Sequence, residues 1–288
     1  MIPAEFAYHR PESLEDAVRL FADLGEDTFA VAGGHSLIPM MKLRLAFPQH
    51  LIDLRRIDGL RGIRVDGRDL AIGAMTTQQD LLASPELAQH CPIIPETAAQ
   101  IGDPQIRSVG TIGGNVANGD PGNDMPALMQ CLDAAFVVQG PNGPRTVAAR
   151  EFYEGPYTTL REPDELLTEV RIALPPAGHG YAYEKLKRKV GDYAIAAAAV
   201  VLTMDAGVCR SAAVALTNVA DVPLLVPEAA AALEGTSVDA AAIEAAAQAC
   251  VAIAEPAADG RGPQDYRKRM AGVMATRALQ RARQRAAG

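Results

Sequence analysis

Tryptophan is absent, and aromatic residues make up only 5% of the 288 positions. So few flat side chains offer no platform for stacking bases, and a formal net charge of −8 removes the electrostatic reason to expect nucleic acid. The four cysteines, Cys91, Cys131, Cys209 and Cys250, are scattered, with no C-x-x-C pair and no histidine at ligand spacing. No iron–sulfur cluster or metal site is therefore expected in this chain, and the thiols read as small buried hydrophobes. Any redox chemistry must then come from an organic cofactor or from a metal on another chain. No apolar run reaches the roughly 18 to 20 residues that span a bilayer. Met1 to Arg10 lacks the basic-then-apolar order of a signal peptide, so a cytoplasmic location is the default. The G-x-G-x-x-G and G-x-x-x-x-G-K-[ST] spacings are missing too, so a nucleotide held here is held in some other way.

What is present is a chain 49% hydrophobic, able to bury a full core in two or three domains. Pro3 to Tyr8 reads as a strand. Ser13 opens a helix that carries Leu14, Val18 and Phe21 inward and stops at Gly25. A strand over Thr28 to Ala32, a helix opened by Pro39 over Met40 to Leu45, and a strand over His50 to Asp53 complete a β-α-β-α-β unit. From Ile63 the period changes to two around Asp66-Gly67, a hairpin. Helices are expected from Thr76 to Leu82, from Ile94 to Ile101 and, opened by Pro126, from Ala127 to Leu132. A second hairpin flanks Pro141-Asn142-Gly143, and Leu166 to Leu174 forms one more strand. Pro175-Pro176 interrupts both periodic patterns and marks a domain boundary. Beyond it come strands at Tyr181 to Lys187, Ala194 to Met204 and Arg210 to Asn218. Helices follow over Pro227 to Leu233, Asp239 to Ile253 and Gln264 to Arg285.

Two diglycines stand out, Gly33-Gly34 and Gly113-Gly114, each read as following an apolar strand and each beside hydroxyl or amide side chains (Ser36, Thr111, Asn115). Either alone is an ordinary tight turn. Together they suggest a phosphate cradle, because glycine lets an anion approach bare backbone N–H groups.

The runs A-G-G-H-S (Ala32 to Ser36) and T-I-G-G-N (Thr111 to Asn115) resemble the paired FAD-binding motifs of the flavoprotein subunits of molybdenum hydroxylases. F-x-Y-H-R-P at Phe6 to Pro11, Asp103-Pro104-Gln105-Ile106-Arg107, G-D-P-G-N-D-M-P-A-L and Y-E-K-L-K-R-K-x-G-D-Y-A extend the likeness end to end. They point within that family to the branch that oxidises carbon monoxide at a molybdenum–copper centre. The resemblance implies an α+β fold: a vanillyl-alcohol-oxidase-type FAD-binding domain over residues 1–176, with subdomains at about 1–55 and 56–176. A C-terminal α+β domain over 177–288, with a small antiparallel sheet and helices, would follow. It implies FAD in this chain, a molybdenum–copper cofactor in a large partner subunit and two 2Fe–2S clusters in a small one, assembled as a dimer of heterotrimers. Electrons would leave to an external, quinone-type acceptor, with the complex resting at most on the inner face of the cytoplasmic membrane.

By the same resemblance, Ala32, Gly33, Gly34, His35, Ser36 and Leu37 hold the FAD pyrophosphate from one side, with His35 a backbone contributor rather than an acid or base. Thr111, Ile112, Gly113, Gly114 and Asn115 hold it from the other. Asp124 either caps the helix at Pro126 or bonds the sugar hydroxyls. Lys185 is either a solvated strand cation or a charge beside the flavin ring. Tyr193 either covers one ring face or is a core aromatic, and Leu167 packs near the isoalloxazine. No catalytic residue is assigned. The basic last helix reads as a solvated face, or else as a docking surface for an acidic partner. Rival readings are the flavin subunit of a related hydroxylase acting on aldehydes, purines or nicotinate, a non-catalytic assembly subunit, and a stand-alone flavin oxidase.

Overall fold

In the computed structural model, which describes residues 2–286, the first unit is a parallel sheet of β1 (Ala7–His9), β2 (Thr28–Val31) and β3 (His50–Asp53) in the order β1-β3-β2. Helix α1 (Leu14–Leu24) connects β1 to β2 and buries Ala17, Val18 and Phe21. Ser13 Oγ accepts the Asp16 N–H at its start, and Gly25, at φ +78°, ends it. Helix α2 (Leu37–Lys42) connects β2 to β3. It begins two residues ahead of Pro39, contrary to the expected start, because a proline anywhere in the first turn removes only an N–H that has no intrahelical acceptor.

The second unit is an antiparallel sheet in the order β4-β5-β10-β6-β7. Its hairpins are β4 (Ile63–Asp66) with β5 (Asp69–Gly73) and β6 (Ala135–Gly140) with β7 (Gly143–Ala148), joined through the central β10 (Leu166–Ala173). A small ribbon, β8 (Tyr153–Gly155) and β9 (Thr158–Thr159), precedes β10. Between the hairpins run α3 (Gln78–Ala83), α4 (Pro85–His90), α5 (Ile93–Ala98), α6 (Pro104–Arg107), α7 (Ile112–Ala117) and α8 (Asp124–Cys131). The sequence reading merges or misses several of these. The helix expected over Ile94 to Ile101 stops at Ala98, and α4 and α6 each start on a proline behind a capping Ser84 or Asp103. The second diglycine follows α6, not an apolar strand, and lies inside the first turn of α7 with Thr111 as its cap. Helix α8 starts at Asp124, so Pro126 occupies its third position.

The C-terminal unit is an antiparallel meander of β11 (Gly180–Leu186), β12 (Ala196–Asp205), β13 (Val208–Thr217) and β14 (Leu224–Leu225), covered by α9 (Pro227–Leu233), α10 (Ala240–Ile253) and α11 (Gln264–Ala286). Ala197 and Ala199 of β12 belong to the core that α8 shares, whereas Ala196 and Ala198 belong to the core under α10 and α11. The sheet is thus buried on both faces, and the period-two alternation sends alternate methyl groups into different cores. The basic last helix is not simply a solvated face. Arg267 is buried and donates to the carbonyls of Ile195, Ala257 and Asn218. Arg281 pairs with Glu184 and Glu96, and Arg285 pairs with Glu96 while its guanidinium lies 4.2 Å from the Tyr181 ring centroid. Arg269, Arg277 and Arg283 stay exposed.

Candidate cofactor-binding site

A cleft of about 680 Å³ runs between the first two units and opens beside β11. The two glycine motifs meet along it. A Cβ added to Gly33 would sit 2.5 Å from the Val109 carbonyl oxygen and 2.7 Å from the Gly110 Cα, so the first corner lies backbone-on-backbone against the approach to the second. A Cβ on Gly114 would be 3.6 Å from that of Ala32, and Gly34 is held at φ +73°. These glycines are required by close approach and by a left-handed backbone.

The two corners differ in what they offer. The N–H groups of Gly33, Gly34, His35 and Ser36 find no acceptor among the described residues. In the second motif four are already used: Ile112 donates to Thr76 O, Gly113 to Ala74 O, Gly114 to the Thr111 hydroxyl and Asn115 to Thr111 O, and that of Thr111 alone finds no acceptor among the described residues. The first motif thus presents four backbone donors and the second only one, at Thr111. The second supplies bare surface and the side chains of Thr111 and Asn115. Ile112 is a further correction: its side chain is fully buried in the central core and does not line the cleft. An isoleucine at the first position of a helix whose outer face is glycine can only turn inward.

Ala32, Gly33, Gly34, His35, Ser36, Leu37, Thr111, Gly113, Gly114, Asn115, Asp124, Leu167, Lys185 and Tyr193 all line this one cleft. Asp124 does not cap α8. Its Oδ2 takes the Lys185 ammonium at 2.7 Å and its Oδ1 accepts the Tyr183 hydroxyl at 2.5 Å. Lys185 is not a solvated cation: its side chain is 2% exposed and that of Asp124 5%, and its Nζ also donates to Gln100 O at 3.3 Å. Burial, then the adjacent Asp124 charge, pushes the Tyr183 phenol well above its usual range. Lys187 donates to the same Gln100 carbonyl, and burial together with Lys185 lowers its ammonium. Tyr193 stands at the rim, 41% exposed, against Gly122, where a Cβ would meet its ring at 2.9 Å, and below the Arg261 guanidinium. Leu167 lies at the bulge in β10, almost wholly buried.

Other lining residues have buried polar atoms with no partner among the described residues: Thr28 Oγ1, Asn118 Nδ2 and both ends of the Gln78 carboxamide. The sequence signal for Gln78 was its place in Thr76-Thr77-Gln78-Gln79-Asp80, where Thr77 and Asp80 form a capping box. That box fixes Gln78 at the first helical position, but helix-start chemistry alone does not say that the side chain is buried. A long cleft, one corner of free N–H groups, glycines bare enough for contact and orphaned amides fit an elongated ligand with a phosphate group at its middle. Among the described residues no group of three or more His, Cys, Asp or Glu is arranged to hold a metal, and no helix is long and apolar enough to cross a membrane.

Two family models match the chain: the FAD binding domain in molybdopterin dehydrogenase over residues 4–175, and the CO dehydrogenase flavoprotein C-terminal domain over residues 181–282. The chain is 62% identical to the carbon monoxide dehydrogenase medium chain of Afipia carboxidovorans, over 99% of both. It is 50% identical to the medium chain from Hydrogenophaga pseudoflava, over 97% of both. A crystal structure of the Cu,Mo-CO dehydrogenase in its cyanide-inactivated form contains a chain that superposes with a TM-score of 0.98 at 61% identity, over 99% of this chain and 100% of that one.

Proposed function

The chain belongs to the medium-chain flavoproteins of carbon monoxide dehydrogenases, and on that premise we propose that it is the FAD-carrying, electron-exit subunit of such an enzyme. In this reading CO and water become CO2, two electrons and two protons at a molybdenum–copper centre of a large partner subunit. Two 2Fe–2S clusters of a small subunit relay the electrons, and two such heterotrimers pair. Bound FAD supplies the capacity to collect electrons that arrive singly and pass them to an external, quinone-type acceptor.

The work of this chain is binding, orientation and electrostatics. The free N–H groups of Gly33 to Ser36 receive the diphosphate, and Thr111 and Asn115 bring side-chain groups to it from the facing corner. Lys185 brings a cation to the far end of the cleft, with its charge set against Asp124 so that the site is not overly positive. Tyr193 and Leu167 are the apolar surfaces assigned to the ring. None of these groups needs to act as nucleophile, acid or base.

The observation that carries the reading is the contact between Gly33 and Val109-Gly110, which brings two glycine motifs far apart in sequence to one cleft beside unpartnered N–H groups. The test is purification of the assembled complex from its source cell with flavin and metal analysis. Flavin should be bound to this chain and bleached by CO only while the partner subunits are present. A colourless chain in a fully assembled complex would favour the assembly-subunit alternative instead.

A further inference from the structure

We infer that Gln78 is a further ligand-contacting residue, donating its carboxamide Nε2–H to the FAD diphosphate from beneath the second glycine motif; the inference rests on the FAD reading above. The side chain is 1% exposed, and neither its Oε1 nor its Nε2 has a partner among the described residues. A primary amide hidden from water with both ends unpaired is costly, and native proteins rarely keep one without a reason. Its position is fixed on three sides. The Gln78 N–H donates to Gly110 O at 2.8 Å, the neighbouring Thr77 bridges Thr111, and the Thr77–Asp80 capping box locks the turn. The residue therefore sits directly behind the second motif and lines the cleft.

The need for such a donor follows from the asymmetry of the two corners. Ile112, Gly113, Gly114 and Asn115 have turned their N–H groups inward, so on that side the backbone offers a diphosphate the Thr111 N–H alone and any further donor is a side chain. A diphosphate presents only acceptors, which selects the Nε2 end of the amide. Gln79, next in sequence, is exposed, so a second glutamine cannot substitute.

The test compares the full chain with its Gln78→Met and Gln78→Glu variants, each assembled with its partner subunits. FAD is stripped and titrated back while flavin fluorescence and the thermal midpoint of the stripped form are followed. Gln78→Met should weaken FAD about 10-fold without lowering that midpoint, since it removes an orphaned amide from the stripped protein. Gln78→Glu should weaken it further, through a carboxylate facing phosphate, and the deficit should shrink as the pH is lowered toward the carboxyl range. Should the parent bind FAD and both variants match it, or should the two variants lose equally at every pH, the role given to Gln78 is wrong while the FAD reading stands. A parent that takes up no FAD overturns both.

Discussion

Asp124 and Lys185 form an ion pair at 2.7 Å between helix α8 and strand β11, with both side chains shut away from solvent. The acid belongs to the cleft-bearing unit and the base to the C-terminal sheet, so one wall of the cleft is fastened to the other by charge. Breaking a buried pair from one side leaves the survivor uncompensated. Asp124→Asn should therefore cost about 3–5 kcal/mol in stability, measured by denaturant unfolding. The double variant Asp124→Asn/Lys185→Met should recover most of it. Because an uncompensated cation beside the cleft favours added negative charge, the midpoint potential of flavin bound to the single variant should rise. A single-variant loss under about 1 kcal/mol would mean that the pair is solvated in practice.

Gly33→Ala should separate the two motifs. The new methyl has the Val109 carbonyl and the Gly110 backbone in its way, and backbone atoms cannot swing aside as a flexible side chain can. Overpacking of this kind costs about 1–3 kcal/mol, so FAD affinity should fall roughly 10- to 100-fold. Gly59→Ala, where an added Cβ meets nothing within 4 Å, is the matched control and should bind normally. Equal retention of flavin by both variants would show that the corners need not touch.

The first unit carries its own acid-sensitive clasp. Burial disfavours the Asp53 carboxylate, but hydrogen bonds from Arg55 and Tyr8 outweigh it and hold its pKa at about 2, below the ordinary 3.8. A depressed acid stabilises the fold above its unfolded pKa and loses that contribution as the pH falls toward the folded value. About 2 kcal/mol should thus be present above pH ~4 and gone near pH ~2. Arg55→Met should flatten this limb of the stability curve, and an unchanged limb would place the acid sensitivity elsewhere.

All four thiols should be silent in the folded protein. Cys91, Cys131 and Cys250 are buried and pushed up to about 12, and Cys209, also buried, is raised as well. Little thiolate exists at neutral pH, and a reagent cannot reach the sulfur. Titration with an aromatic disulfide should count no thiols in native protein and four after unfolding. Rapid reaction of any one before unfolding would refute this.

Arg267→Met should cost about 3 kcal/mol, because the buried carbonyls of Ile195 and Asn218 lose their donor together with the more exposed one of Ala257. Arg267→Lys should rescue little of it, since a point charge cannot reproduce a planar fork that bonds three separate oxygens. Full rescue by lysine would reduce the role of this side chain to its charge.

Local chemistry made much of the fold legible. Ser13 and Gly25 bracket α1 as capping rules require, and the Asp66-Gly67 and Pro141-Asn142-Gly143 turns gave the right hairpins. The errors fell where several short helices follow one another. There each proline starts a new helix instead of ending an old one, as at Pro85 and Pro104. At the cleft, the glycines and Lys185 could be named from motifs, but the pairing of Lys185 with Asp124 depends on the docking of two units and has no local signature. Ile112 shares its motif's spacing, yet its apolar side chain belongs to the core. Gln78 has no signal of its own, because polarity at a helix start reads as capping and burial of an amide is a tertiary fact. The arginines of α11 looked like one basic stretch, yet helical periodicity turns Arg267, Arg281 and Arg285 toward acceptors and leaves Arg269, Arg277 and Arg283 outside.

The run of small residues in β12 acts as a shim between two layers. Ala196 to Ala199 set how near α8 and α11 can come to the strand from opposite sides, so an added methylene on either face would shift a helix by about its own thickness. On one side that helix begins with Asp124; on the other it carries Arg281 and Arg285. The spacing of this inconspicuous strand is thus transmitted to both charged fasteners, and drift there is tolerable only when a neighbour across the layer shrinks to match.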